Sequence, residues 1–137
     1  MTRKNMASFT KKPAPAKPAK DFSAVFASLQ KILKPYEQHL HVLPYKPEFY
    51  CLVTRLPVYK KKPVWFASIR KGKNYVSYHL MPVYMNPVLQ KRISPELKKR
   101  MQGKACFNFN LIAPALFREL ATLTRAGFAS YRARKFV

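Results

Sequence analysis

The feature that most constrains the fold is a series of short apolar segments separated by turn-forming residues. These segments are rich in β-branched and aromatic side chains, a pattern that is typical of β-strands. They cover residues 39–43, 49–56, 64–70 and 74–80, and the breaks contain Pro44, Pro47, Pro57, Pro63 and Gly72. The pattern predicts four consecutive strands that form an antiparallel meander.

The turn between the third and fourth segments is the clearest hairpin signal. Arg70-Lys71-Gly72-Lys73 lies between two segments of alternating character. A glycine in so short a turn supplies the positive φ that tight hairpins need. We therefore expect a hairpin here, with Gly72 in the left-handed region.

A helix is predicted before the meander. Asp21 is a candidate N-cap, and the apolar residues that follow recur at a spacing of three and four until Pro35. This stripe consists of Phe22, Val25, Phe26, Leu29, Ile32 and Leu33. Because the spacing matches one face of a helix, the stripe is expected to face the core.

The second half of the chain predicts two further helices and a fifth strand. A helical stretch over residues 86–101 is broken near Ser94, ends at Gly103, and is followed by a strand over 104–109 and a helix that begins near Pro114. The element order α-β-β-β-β-α(α)-β-α indicates an α+β domain. We expect a mostly antiparallel sheet of about five strands, with helices packed on one face.

The charge balance excludes several classes of function. The chain of 137 residues contains 27 Lys and Arg but only 5 Asp and Glu, which gives a net charge of +22. The carboxylates belong to Asp21, Glu37, Glu48, Glu96 and Glu119. They are too few for paired-carboxylate hydrolysis or for metal sites built from oxygen ligands. The three glycines are too scattered for a phosphate-binding loop.

The first 20 residues differ in composition from the rest of the chain. Residues 1–20 are rich in Lys, Pro and Ala and contain six cations and no acid, so we expect a flexible basic arm. Residues 21–137 are predicted to form a single domain. The chain lacks an apolar stretch typical of a membrane span or a secretion signal, which predicts a cytoplasmic protein with no membrane contact.

Clusters of cations in the predicted domain indicate an anionic partner. Their members are Lys60, Lys61, Lys62, Arg70, Lys71, Lys73, Lys98, Lys99, Arg100 and Lys104. Lysines 60–62 precede the predicted third strand, and the cations at positions 70, 71 and 73 lie at its other end. The two groups should therefore be about 25 Å apart, which is too far for both to bind one small phosphate. Such an excess favours a polyanion, RNA or another nucleic acid, over a merely solvated surface. Tyr59 and Tyr75 are candidates for stacking on unpaired bases.

A second candidate site follows from strand alternation in the fourth segment. Tyr75, Ser77 and His79 should point to one face of the sheet, while the intervening apolar residues point to the other. Tyr84 and Gln102 lie in neighbouring segments and are candidates to complete a pocket. Such a pocket would hold a small anion or act as an enzyme site. The alternative is that these groups satisfy the backbone of the following loop.

The cysteines and histidines offer weaker signals. Cys51 and Cys106 lie in apolar segments, so we expect buried free thiols, with a disulfide or a metal pair as the alternative. Cys106 with His79 is a conceivable nucleophile and base. His39 and His41 would share one strand face, a spacing that can bind metal, but no third ligand is evident. We therefore predict no metal or cofactor, and a non-catalytic role is favoured.

Two longer segments resemble a known family. Residues 72–87 (GKNYVSYHLMPVYMNP) are followed by residues 94–109 (SPELKKRMQGKACFNF). Together they are similar to the YdhG-like family of small domains of unknown function, over about residues 22–131. The resemblance implies an α+β fold with an antiparallel sheet. It also brings in a third functional hypothesis, because one group of members has been proposed as frataxin-like iron chaperones. The scarcity of carboxylates here argues against that role.

Overall fold

A computed structural model of the chain describes residues 22–44, 46–55, 57–58 and 60–137. These residues form one six-stranded antiparallel sheet with helices against it. The α+β class predicted from the sequence is therefore confirmed. The basic arm, the candidate N-cap Asp21 and the candidate stacking residue Tyr59 lie outside the described residues.

The sheet contains the predicted meander and one strand that the sequence did not indicate. Its strands are β1 (His41–Val42), β2 (Phe49–Val53), β3 (Trp65–Lys71), β4 (Val76–Leu80), β5 (Met101–Gln102) and β6 (Cys106–Phe109). Neighbours in the order β1-β2-β3-β4-β6-β5 all pair antiparallel. The prediction that Met101 ends a helix was wrong, because this residue pairs with Phe107 in the β5–β6 hairpin.

The helices are shorter than predicted in the middle of the chain. The helices are α1 (Ser23–Leu33), α2 (Met81–Met85), α3 (Pro87–Lys91), α4 (Pro95–Lys98) and α5 (Pro114–Ala133), and a 3₁₀ turn (Lys34–Gln38) follows α1. Ser94 caps α4 as its position before Pro95 predicts: its hydroxyl accepts a hydrogen bond from the Leu97 amide at 3.1 Å. Within the described part of the chain, no helix is both long enough and apolar enough to cross a membrane.

The core lies between one sheet face and the two longest helices. In β4, the alternate residues Val76, Tyr78 and Leu80 are fully buried. The Tyr78 hydroxyl shares a hydrogen bond of 2.6 Å with Thr124 of α5. Leu29 of α1 is also fully buried, and α1 contacts the same strand. Helices α1 and α5 therefore cover this face of the sheet, and neither of them covers the opposite face.

An irregularity in β3 decides which side chains reach the uncovered face. Leu52 of β2 pairs with Ala67, but the next residue, Val53, pairs with Trp65. Phe66 is thus the extra residue of a β-bulge, which interrupts strand alternation. Phe66 is fully buried on the helical side, and Trp65 is turned to the other side, where it is 39 % exposed.

Helix α5 secures the bulge. The ring of Tyr131 lies 5.5 Å from that of Phe66, and its hydroxyl donates a hydrogen bond of 2.6 Å to the backbone carbonyl of Trp65. A bulge leaves backbone groups without ladder partners, and this bond supplies one from the core. The backbone at Trp65 is therefore fixed even though its ring is exposed.

The β3–β4 hairpin is confirmed, but the expected role of its glycine was wrong. The positive-φ glycine of the described chain is Gly103, at φ 74°, and not Gly72. The amide of Gly72 instead donates to the Tyr75 carbonyl at 2.9 Å, and a Cβ at this position would lie 3.1 Å from that oxygen. Gly72 is needed for close backbone approach rather than for a left-handed conformation.

Candidate functional site

The candidate site is the sheet face opposite α1 and α5, which we call the open face. Cross-strand register places its side chains in two rows. One row contains Cys51, Ser68, His79, Cys106 and Gln102, and the other contains Phe49, Arg70, Ser77 and Asn108. The prediction that Ser77 and His79 point away from the core is confirmed, since both are half-buried between fully buried neighbours.

Aromatic rings line the open face at the end nearest β2. The ring centroids of Phe49 and Trp65 are 5.9 Å apart, and His79 meets Trp65 edge-on at 6.5 Å. The guanidinium carbon of Arg70 lies 5.3 Å from the centre of the Phe49 ring. A planar apolar surface and a cation therefore share one small area.

Two cavities meet at this aromatic pair. One has a volume of about 250 Å³ and reaches Ser68, Ser77, His79 and Cys106. The other measures about 830 Å³ and reaches Lys46, Glu48, Lys71 and Gly72. Both are lined by Phe49, Trp65 and Arg70. Because they share these three residues, we call the two cavities together the aromatic groove.

The opposite half of the open face carries hydrogen-bonding side chains. Ser77 donates to the Asn108 side chain at 2.7 Å, and the Asn108 amide donates to Gln102 at 3.2 Å. The Tyr75 hydroxyl also donates to Gln102, at 3.5 Å. Together with Lys99 and Arg100, the Tyr75 and Asn108 side chains line a cavity of about 240 Å³.

The structure thus brings together four of the five residues of the predicted pocket. Tyr75, Ser77, His79 and Gln102 lie on or beside the open face. Tyr84 does not join them, because the chain turns into α2 directly after Leu80 and strand alternation ends there. Its side chain is 60 % exposed on α2, and this helix contacts α5.

Cys106 and His79 are direct cross-strand partners. The Cys106 sulfur lies 3.1 Å from Nδ1 of His79, so the conceivable thiol and imidazole pair is brought within hydrogen-bonding distance. Burial raises the pKa of the Cys106 thiol and lowers the pKa of His79. Both shifts favour the uncharged forms, a neutral thiol beside a neutral imidazole.

Both cysteines are free thiols, as predicted, but only Cys51 is buried as expected, because Cys106 is half-buried. Register explains why they do not pair: β3 and β4 lie between Cys51 on β2 and Cys106 on β6. Three strand spacings amount to about 14 Å, far beyond the reach of a disulfide. Cys51 is only 1 % exposed, and burial raises its pKa to about 12.

The structure does not support the expected alignment of His39 and His41. Strand β1 begins at His41, while His39 lies before it and packs its ring 5.4 Å from that of Phe128 in α5. Among the residues that the structure describes, no group of three or more His, Cys, Asp or Glu side chains is placed to hold a metal ion.

The predicted cationic residues are spread around the sheet. Arg70 and Lys71 line the aromatic groove, and Lys73 is exposed in the hairpin turn beside it. Lys98 and Lys104 line a separate cavity of about 550 Å³, together with Lys91. This cavity lies between α3, α4 and the β5–β6 turn.

Lys60, Lys61 and Lys62 lie at the other end of β3, in the connection from β2. Lys60 and Lys61 both adopt positive φ, at 50° and 61°. Two consecutive residues with positive φ are typical of type I′ hairpin turns. Asn and Gly are preferred there, because the side chain of a lysine makes a positive φ unfavourable. Lys62 precedes Arg70 by eight residues, which corresponds to about 25 Å of extended chain.

Few carboxylates oppose this positive charge. The described residues include 21 Lys and Arg but four Glu. Two of the four are already engaged: Glu37 accepts a hydrogen bond from Tyr50 and pairs with Lys34 at 3.8 Å, and Glu119 accepts two hydrogen bonds from Ser94. Most of the cations therefore remain available to an external anion.

The sequence did not indicate Phe49, Trp65, Ser68 and Asn108 as site residues. Ser68 and Asn108 had a usable signal, since both are polar residues that alternate with core residues in their strands. Trp65 had no such signal, because the bulge at Phe66 places its side chain on the sheet face opposite to the one that strand alternation predicts.

Comparisons with known proteins do not identify the chain. No family model matches it, and neither a curated protein nor a solved structure shows significant similarity. Membership of the YdhG-like family therefore stays a prediction that rests on residues 72–87 and 94–109.

Proposed function

We propose that the protein binds single-stranded nucleic acid, RNA in particular, on the open face of its sheet. The observation that carries this proposal is the exposed ring of Trp65 beside Phe49 and Arg70 in the aromatic groove. Proteins that bind single strands combine aromatic platforms for bases with cations for the backbone phosphates. The aromatic groove offers both.

The rest of the open face suits a chain of nucleotides better than a single one. Hydrogen-bonding side chains on β4 and β6 continue the groove toward Lys99 and Arg100. The distance from β2 across to β6 is about 14 Å. Unpaired bases expose edges that hydroxyl and amide groups of this kind can read.

The charge distribution favours a polyanion over the two alternative partners. Cations line three cavities of the described surface, whereas a small anion needs one convergent pocket. An iron chaperone needs oxygen ligands, and two of the four described carboxylates are already engaged. The phosphates of a nucleic acid would contact cations that neither a small anion nor an iron ion would engage.

The fluorescence of Trp65 tests the proposal directly, because it is the only tryptophan of the chain. Titration with a single-stranded RNA oligonucleotide should quench its emission to a plateau, since a stacked base contacts the indole ring. Inorganic polyphosphate serves as the control, because it offers phosphate charge without bases. We expect it to compete for binding without producing this quench. Saturating RNA that leaves the emission of Trp65 unchanged would contradict the proposal.

Salt dependence separates the contribution of Arg70 from general charge. Each phosphate neutralised on a single strand contributes about −0.7 to the log–log slope of affinity against salt. Arg70→Ala should therefore reduce the slope by about 0.7. The matched control is Arg118→Ala, which removes the same charge from the exposed side of α5. Equal effects of the two variants would show that the open face has no special role.

A further inference from the structure

We propose that Cys106 undergoes thiol–disulfide exchange with small anionic disulfides, assisted by His79, and that the mixed disulfide closes the open face to nucleic acid. The first half of this inference stands on the geometry of the Cys106 and His79 pair. The second half rests on the proposed function.

The pair has the arrangement of a nucleophile and its base. Register holds Cys106 and His79 opposite each other on adjacent strands, which keeps the sulfur 3.1 Å from Nδ1 of the ring. Cys106 is half-buried and lines the smaller cavity of the aromatic groove. A reagent that enters the groove therefore meets both groups at once.

The protonation states suit a base-assisted attack. The lowered pKa of His79 keeps its ring neutral near pH 7, and only a neutral imidazole can accept a proton. Burial raises the pKa of Cys106, so the resting form is the thiol and its proton must leave during the reaction. Nδ1 is the atom placed to take it.

The exchange balances without an added oxidant. The Cys106 proton passes to Nδ1 of His79 as the sulfur attacks one sulfur of the disulfide. A new S–S bond forms to Cys106 and the original S–S bond breaks. The departing thiolate then takes the proton from the imidazolium and leaves as a thiol. One disulfide and one thiol are consumed and one of each is produced.

The charge around the groove selects for an anionic reagent. Arg70 lines the same cavity as Cys106. Glu48 is the carboxylate of the adjoining cavity, where Lys46 and Lys71 also lie. Cations thus outnumber the carboxylate, and a disulfide that carries carboxylates is drawn to this face.

The mixed disulfide would obstruct the surface that binds nucleic acid. A group attached to Cys106 occupies a cavity of about 250 Å³ that Trp65 and Arg70 also line. It fills the space that a stacked base requires, and its carboxylates repel phosphates. Reduction of the disulfide would restore the free face.

The chemical half is tested with 5,5′-dithiobis(2-nitrobenzoate), an anionic aromatic disulfide. We expect one equivalent of released thiol from the native protein, because Cys51 is only 1 % exposed, and none from Cys106→Ser. His79→Gln should slow release at least about tenfold, since general-base assistance is lost. His39→Gln removes an exposed imidazole that packs against Phe128 of α5 and lies outside this cavity, so it should react at the native rate. An inert Cys106, or an unchanged rate in His79→Gln, would overturn the assignment.

A neutral disulfide tests the preference for anions. The reaction of 2,2′-dithiodipyridine should be insensitive to added salt, whereas that of the anionic disulfide should slow. Equal salt dependence of the two reagents would remove the charge selectivity.

The regulatory half is measured by RNA binding before and after modification. The modified protein should lose its binding of a labelled RNA oligonucleotide, followed by fluorescence anisotropy, and dithiothreitol should restore that binding. Cys106→Ser treated with the same disulfide should keep it. If the modified and unmodified proteins bind RNA equally, closure of the face is refuted. If the unmodified protein does not bind RNA, the proposed function fails, while the exchange rates still decide the thiol chemistry.

Discussion

Trp65→Ala should weaken the binding of a single-stranded RNA oligonucleotide by about 5- to 150-fold. This range corresponds to the roughly 1–3 kcal/mol that one stacked base contributes. The ring is 39 % exposed beside Phe49, so its removal takes away the platform and leaves the cations in place. Since the variant has no tryptophan, the measurement is the fluorescence anisotropy of a labelled oligonucleotide.

Two further variants decide whether stacking is the cause. Trp65→Phe keeps an aromatic face and should retain most of the affinity. Tyr84→Ala removes a ring that is 60 % exposed on α2, away from the open face, and should bind as the native protein does. If Tyr84→Ala weakens binding as much as Trp65→Ala, the aromatic groove is not the binding surface.

Local sequence patterns were sufficient to predict most of the fold. The strands could be predicted because alternation of apolar residues and turn-forming residues are local signals that span only a few positions. The Ser94-Pro95 helix start had equally local causes. The sequence did not predict strand β5, because two residues are too few to show an alternation pattern. It did not predict helix α2, which packs against the distant helix α5.

The site was harder to predict than the fold because it depends on register. The short β3–β4 turn fixes the pairing of Ser77 with Arg70. By contrast, 25 residues separate β4 from β6, and no turn rule sets a register across such a connection. The contact between His79 and Cys106 was therefore one conceivable pairing among many.

Because of the bulge in β3, the sequence did not predict that Trp65, on which the proposed function depends, lies on the open face. Strict alternation from the core residues Ile69 and Ala67 places Trp65 in the interior. The insertion of Phe66 reverses this assignment. The reversal is stabilised by rings from the 3₁₀ turn and α5, which lie far away in the sequence.

Phe66→Ala is expected to destabilise the fold strongly. Its ring is fully buried and lies 5.6 Å from Tyr36, 5.7 Å from Phe128 and 5.5 Å from Tyr131. Removing such a ring typically lowers the free energy of unfolding by about 3–5 kcal/mol. A domain of this size is stable by about 5–15 kcal/mol in total, so the urea midpoint should fall steeply.

A matched control isolates the bulge from the general loss of an aromatic ring. Phe136 also contacts Tyr131, at 5.1 Å, but it is only half-buried near the end of the chain. Phe136→Ala should therefore lower the free energy of unfolding clearly less than Phe66→Ala does, because solvent already reaches the Phe136 ring.

Phe66→Ala also removes the side chain that holds the bulge against α5, so the ring of Trp65 should become free to turn inward. Its emission in the folded variant should then shift to shorter wavelength, and an unshifted spectrum with native stability would show that the bulge does not depend on Phe66.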